Sequence, residues 1–401
     1  MKSVLKEDSV KTSARKAAVD AGLATPLSRV LAKRIHATGP VSFAEYMREC
    51  LYHPQFGYYS KAESRRFADF YTSVDVHPIF GRLLARQLAE MWELLGRPPE
   101  FHAVEAGAGA GRLAGQILDF ASQRLPEFYR AFRYFAVEQS AARRERHREH
   151  LRTHLENGKA ESAADLPQEI AAGCIFSNEL LDAFPVHRVV VERGTLREIF
   201  VGFDGRAFTE ELHSTSPEIA RYFDEQQIAL REGQQAEVNL DACDWIVDVG
   251  RRLGRGFVLT VDYGHDAAEL YNERHMRGTL LAYSEHRATE GFFARPGEQD
   301  LTAHVNFTAL DLWGRRAGLA RTGCVSQTAF LVALGRANEF ADLYDDGASE
   351  VERIRARLLL KSLIHPEGMG ETFQVFIQHK AIAPPRLTGL AGLGEILKNS
   401  A

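Results

Sequence analysis

The apolar positions change period along the chain. Over the first quarter they recur at helical spacing: Val30, Leu31 and Ile35 follow Pro26-Leu27, and Phe43-Ala44-Glu45-Tyr46-Met47 follows Ser42. Ser42 with Glu45 three residues on is a capping-box pattern, in which each side chain satisfies the other's backbone N–H. An aromatic-rich turn at 52–59 comes next, and residues 78–95 predict a helix closed by Gly96 and Pro98-Pro99. From Phe101 the rhythm becomes strand then helix. Strands are predicted at 101–105, 132–137, 173–177 and 257–261, with helices at 112–120 and 141–155. The strand at 257–261 has no polar alternation, as expected when both faces are buried. This pattern predicts an α/β fold with a mostly parallel sheet and helices on both faces.

Residues 186–208 read as a β meander turning at Glu192-Arg193-Gly194 and Asp204-Gly205, followed by helical sequence over 217–230; both belong to an insertion at 186–240 packed on the sheet. Near the C-terminus, 321–326 and 372–379 are strand-like around a helix at 349–363, and the residues after Pro384-Pro385 read as a loose tail. The expected organisation is a helical segment over 1–97 packing on the core, an α/β domain over 98–385 carrying the insertion, and a tail over 386–401.

Composition narrows the partners. The 401 residues are 45% hydrophobic and 26% charged, which excludes a disordered, collagen-like or coiled-coil chain. Acidic residues outnumber basic ones, 54 to 49, so a net charge of -5 offers no global field for a polyanion and no nucleic-acid partner is expected. Cys50, Cys174, Cys243 and Cys324 form no C-x-x-C pair, which argues against a disulfide framework or thiolate zinc site and for a reducing compartment. No apolar run approaches the roughly 18 residues of a membrane span, so no membrane insertion is expected. Residues 1–20 mix Lys and Arg with Glu7, Asp8 and Asp20, a poor secretory signal or presequence. The expected location is the cytoplasm.

Chemistry concentrates at strand ends. Val104-Glu105-Ala106-Gly107-Ala108-Gly109-Ala110-Gly111-Arg112-Leu113 leaves a strand and opens a helix. Gly107, Gly109 and Gly111, with the small Ala108 between them, let a ligand approach the backbone, and helix-start N–H groups receive polar or anionic groups. The spacing is G-x-G-x-G rather than the dinucleotide G-x-G-x-x-G. Glu105 would repel a pyrophosphate but not an ammonium, so S-adenosylmethionine fits better than a nicotinamide dinucleotide. Glu138, at the end of the next strand, is placed to accept ribose hydroxyls. Asn178, Glu179 and Asp182 lie past a third strand, the acids at i and i+3, where a helical turn would give them one face. Two carboxylates beside an alkylating cofactor suit a cationic nucleophile, arginine above all. A charged helix carries His147, His150 and His154 among Arg143, Arg144, Arg146 and Arg148; cationic neighbours disfavour a metal there, so a solvated face and no metal site are expected.

These segments together resemble the MidA-like, NDUFAF7-like family of class I S-adenosylmethionine-dependent methyltransferases, over residues 25–380. The resemblance runs through Gly39 to Met47, His53-Pro54 with Gly57-Tyr58-Tyr59, Asp69-Phe70-Tyr71-Thr72-Ser73 with Phe80-Gly81, and the glycine loop. It continues through Asn178 to Pro185, Val261-Asp262-Tyr263-Gly264 and Asp300 to Phe307. It implies a Rossmann-like methyltransferase domain, S-adenosyl-L-methionine as cofactor, and methylation of arginine on a protein client, with complex I assembly as the family's context. It further implies that Asp69, Thr72 and Ser73 lie beside the cofactor, and that Glu179 and Asp182 hold the guanidinium while Asn178 helps position it. Arginine-bearing protein and a second copy of the chain are the partners considered. The alternatives are a non-catalytic assembly factor on the same fold, a small-molecule methyltransferase and, less favoured, a nicotinamide oxidoreductase.

Overall fold

The computed structural model describes residues 23–60, 77–284, 287–364 and 373–391. The chain divides into two compact units, one drawn from Met1–Asp69, Ala183–Asp241 and Ala268–Ala303, the other from Phe70–Asp182, Ala242–Ala267 and His304–Ala401.

In the first unit, helices Pro26–Thr38 and Phe43–Tyr52 both open on capping boxes, Thr25 with Ser28 and the expected Ser42 with Glu45. Among the described residues, the meander is part of a five-stranded antiparallel sheet in which Thr195–Phe203 pairs with His187–Glu192, Phe208–Ser214 and Val41–Ser42, and Gln235–Val238 flanks His187–Glu192. Its tightest turn has Arg193 at φ 52° and Gly194 at φ 70°, the pair of left-handed residues that a two-residue hairpin requires. Glu232 accepts both turn N–H groups, at 2.7 and 2.8 Å. Phe43, Tyr46, Met47, Val201 and Ala282 are wholly buried in this unit's core.

Among the described residues the second unit is built on an eight-stranded sheet, seven strands in one path and a two-residue eighth at its side. The seven are β1 (Phe101–Ala106), β2 (Phe132–Val137), β3 (Ala160–Ala163), β4 (Ile170–Asn178), β5 (Leu253–His265), β6 (Ala320–Ser326) and β7 (Phe373–Lys380). The spatial order is 3-2-1-4-5-7-6, parallel throughout except that β7 runs antiparallel to β5 and β6. The two-residue strand Val305–Asn306 pairs with the end of β5. Phe101, Phe132, Phe176, Phe257 and Phe373 are fully buried on this sheet. The parallel α/β expectation therefore holds.

Strand order reverses between β1 and β4, the switch point where open α/β sheets place their ligands. Register puts Ala106 beside Val137 and Ser177, and Asn178 beside Val261. The loops after β1, β2, β4 and β5 thus leave one edge together.

Some local expectations change. The helix at 141–155 is two helices, Ala141–Glu145 and His147–Glu156. The segment after Pro385 is not loose where it is described: Leu387 is buried, Thr388 N–H donates to the Glu90 carboxylate at 3.0 Å and Gly389 N–H to Gln87 Oε1 at 3.1 Å. Buried Gln87 and half-buried Glu90 on the Ile79–Leu94 helix give that segment a seat.

Candidate active site

The glycine loop leaves β1 with Gly107, Gly109 and Gly111 at φ 76°, 56° and 82°. Gly107 and Ala108 N–H both donate to Val137 O at 2.9 Å, which closes the loop onto the end of β2. A Cβ at Gly107 would stand 2.9 Å from Leu180 Cδ1, so the loop and the Asn178–Asp182 segment are direct neighbours. A Cβ at Gly109 would meet nothing within 4 Å. Gly111 caps helix Arg112–Arg124 without a side-chain hydrogen bond, leaving the helix's positive end to its backbone donors.

Glu138 is 8% exposed and fixes the loop from the side: Oε2 accepts from Gly109 N–H at 3.0 Å and Oε1 from Ser140 N–H at 2.8 Å. A carboxylate offers about four acceptor positions, so capacity for further donors remains. Glu105 lies beneath the loop, where Tyr134 Oη donates to its Oε2 at 2.6 Å. Burial pushes Glu105 up to about 7, partly offset by that hydrogen bond.

A raised carboxyl stabilises the fold fully below its unfolded value of 4.5 and loses that contribution as pH rises through about 7. The difference corresponds to on the order of 3 kcal/mol. Glu105→Gln is therefore expected to flatten the fall in ligand-free Tm between pH 5 and pH 8. Scanning calorimetry of both proteins checks this; identical pH slopes would exclude Glu105 as the titrating group.

The acids do not share a helical face. β4 ends at Asn178, Glu179 turns left-handed at φ 52°, and only Leu181–Ala183 forms a short 3₁₀ turn. A non-glycine residue in this region costs of order 1–3 kcal/mol and persists where surroundings over-determine it. Here Glu179 N–H donates to Val261 O at 3.0 Å, and Leu180 and Leu181 N–H donate to Asp262 Oδ2 at 3.2 and 2.9 Å. Asn178 Nδ2 donates to Glu179 Oε1 at 3.0 Å, while Asn178 Oδ1 is buried with no protein partner. Asp182 is 6% exposed and Asp262 fully buried. Burial first, then the charge of Asp182, raises Asp262 well above the usual carboxylate range.

The structure thus gathers Glu105, Gly107, Ala108, Gly109, Gly111, Glu138, Asn178, Glu179 and Asp182 at one sheet edge. Asp69, Thr72 and Ser73 lie outside the described residues. Two residues given no site role by the sequence reading stand at this edge. Asp262 directly follows the apolar run predicted as a strand at 257–261, which was a usable signal, and the structure places it within β5. His147 was expected on a solvated face; it is wholly buried, because the helix break at Arg146 turns it inward. His154 is buried as well, between Tyr129 Oη at 2.8 Å and Asp119 at 2.9 Å. Among the described residues no group of His, Cys, Asp or Glu is arranged to hold a metal.

A family model of S-adenosyl-L-methionine-dependent methyltransferases matches residues 83–325. The chain belongs to this family. It is an S-adenosyl-L-methionine-dependent methyltransferase with the fold expected from its sequence. It is similar to the protein arginine methyltransferase NDUFAF7, mitochondrial, of Danio rerio, 30% identical over 376 residues, covering 86% of this chain and 85% of that one. The Homo sapiens protein of the same name is 28% identical over 383 residues, covering 88% and 83%. A crystal structure from Burkholderia thailandensis, bound to S-adenosyl-homocysteine, superposes with TM-score 0.80 at 29% identity, covering 94% of this chain and 96% of that one.

These relatives overturn one expectation: they are named as mitochondrial, against the cytoplasmic reading. That reading leaned on isolated cysteines, which do not separate one reducing compartment from another, and on acidic residues near position 1, which count against a presequence only as a compositional tendency. Among the described residues no helix is long and apolar enough to cross a membrane.

Proposed function

We propose that this methyltransferase modifies arginine side chains of a protein client. The observation that carries the reading is the Gly107–Leu180 contact, which sets the Asn178–Asp182 acids against the cofactor loop. The relatives' name, protein arginine methyltransferase, supports the same acceptor.

The residues present suit S-adenosylmethionine. Open space at Gly109 and the uncapped helix start suit its methionine end. Glu138 retains acceptor capacity for the ribose hydroxyls, and Asn178 Oδ1 is a buried acceptor in need of a donor. The family resemblance adds Asp69, Thr72 and Ser73, outside the described residues, as further proposed cofactor-binding residues. When bound, the cofactor supplies an electrophilic methyl group on sulfur and leaves as the neutral thioether.

Glu179 and Asp182 hold the guanidinium by charge-assisted hydrogen bonds. Their negative charge compensates its cation and keeps one terminal nitrogen aimed at the methyl carbon. As the N–C bond forms and the C–S bond breaks, the attacking nitrogen loses one proton, which a carboxylate accepts and passes to water. Holding nucleophile, carbon and sulfur in line can lower the barrier by on the order of 7–11 kcal/mol. Asn178 keeps Glu179 in place through the 3.0 Å bond.

Methyl-labelled S-adenosylmethionine, incubated with the full chain and protein extract from cells lacking it, tests the reading. Mass spectrometry of hydrolysed protein is expected to find label on arginine, and Glu179→Ala to abolish it. Label confined to small metabolites or to another residue type would replace this acceptor.

A further inference from the structure

We infer that His147 is a positioning residue for the cofactor loop, and that with Glu138 it holds both backbone polar groups of Gly109. His147 Nε2 lies 3.0 Å from Gly109 O, while Glu138 Oε2 takes the Gly109 N–H at the same distance. The carbonyl can only accept, so Nε2 carries the hydrogen. Nδ1 is then the acceptor, and Ser162 Oγ, 2.8 Å away, donates to it. Ser162 is in β3 and pairs with Ala136 of β2, so the imidazole ties the loop after β1 to the sheet's edge strand. The ring also stands under Gly111, where a Cβ would come within 3.2 Å of His147 Cδ2.

The residue held this way is the one least able to hold itself. Glycine loses more conformational freedom on ordering than any other residue. Gly109 is left-handed at φ 56° and has open space on its Cβ side. Its N–H and C=O are fixed from opposite directions by side chains 29 and 38 positions away. Burial keeps His147 neutral by lowering its pKa, which suits the tautomer the two bonds require. A loop ordered before the ligand arrives binds it without the ordering cost.

This inference rests on the reading that the loop holds S-adenosylmethionine, and the experiment separates the two. Equilibrium dialysis of labelled S-adenosylmethionine against the purified full chain measures Kd without catalysis. His147→Leu keeps the volume and removes both hydrogen bonds; it is expected to weaken binding on the order of 10- to 100-fold. His147→Gln, whose amide can reach Gly109 O, is expected to restore most of the affinity. Ser162→Ala, at an exposed position, leaves the fold intact and is expected to weaken binding several-fold by freeing the ring. Wild-type affinity in both His147→Leu and Ser162→Ala would overturn the inference. So would equal losses in His147→Leu and His147→Gln that track their losses of Tm, since packing alone would then explain them. Gly107→Val is the control: if it too binds normally, the loop reading itself falls.

Discussion

Glu179→Gln is expected to lower the methyl-transfer rate by on the order of 10²–10³-fold, the size of effect seen when one preorganised electrostatic partner of a transition state is removed. The affinity for S-adenosylmethionine should stay within about twofold, because the proposed role is toward the acceptor. The substitution keeps shape and backbone preference, so the left-handed turn at φ 52° costs the same in both proteins. Asp262, with Val261 O, still holds the N–H groups of 179, 180 and 181. Only the charge facing the guanidinium changes. Single-turnover transfer from labelled cofactor to an arginine-bearing client isolates that step. An unchanged rate with unchanged binding would remove Glu179 from the acceptor site and leave Asp182 as the remaining acid of the pair.

The geometry behind this prediction divides into what neighbouring residues encode and what distant ones impose. The glycine loop was legible because left-handed backbone needs glycine, and three alternating glycines after an apolar strand leave few other structures. The β5 strand was legible because a strand buried on both faces carries no polar alternation. Ala160–Ala163 was not: an edge strand of four residues, only one of them buried, has no apolar pattern to read. Asn178, Glu179 and Asp182 were legible as a cluster but not as a shape. Spacing suggested a helical face, whereas the turn is fixed by Asp262, more than eighty positions away. His147 failed for a related reason. Its arginine neighbours imply solvent, yet a one-residue break in the helix and a carbonyl 38 positions back put the ring inside. In each case the missed part is a long-range hydrogen bond to backbone, which local periodicity does not record.

Gly107→Val is expected to weaken S-adenosylmethionine binding at least 100-fold and to eliminate detectable turnover. Two independent costs act at this position. At φ 76° a β-branched residue sits in left-handed backbone, at roughly 1–2 kcal/mol or more. A Cβ there would also stand 2.9 Å from Leu180 Cδ1, before the valine methyls are counted. The Leu180 Cδ1 can turn away, but its Cγ and Cβ, 3.7 and 3.8 Å from that Cβ, are carried by a backbone tied to buried Asp262. The backbone strain at φ 76° is relieved by the loop itself, at the expense of the Gly107 and Ala108 bonds to Val137 O that close it on β2. The damage therefore reaches the cofactor cradle and the acid turn together, unlike Glu179→Gln, which touches only the second. Isothermal titration for binding and circular dichroism for the fold distinguish a lost site from a lost protein. A folded Gly107→Val variant with ordinary cofactor affinity would mean that the ligand does not sit on this loop.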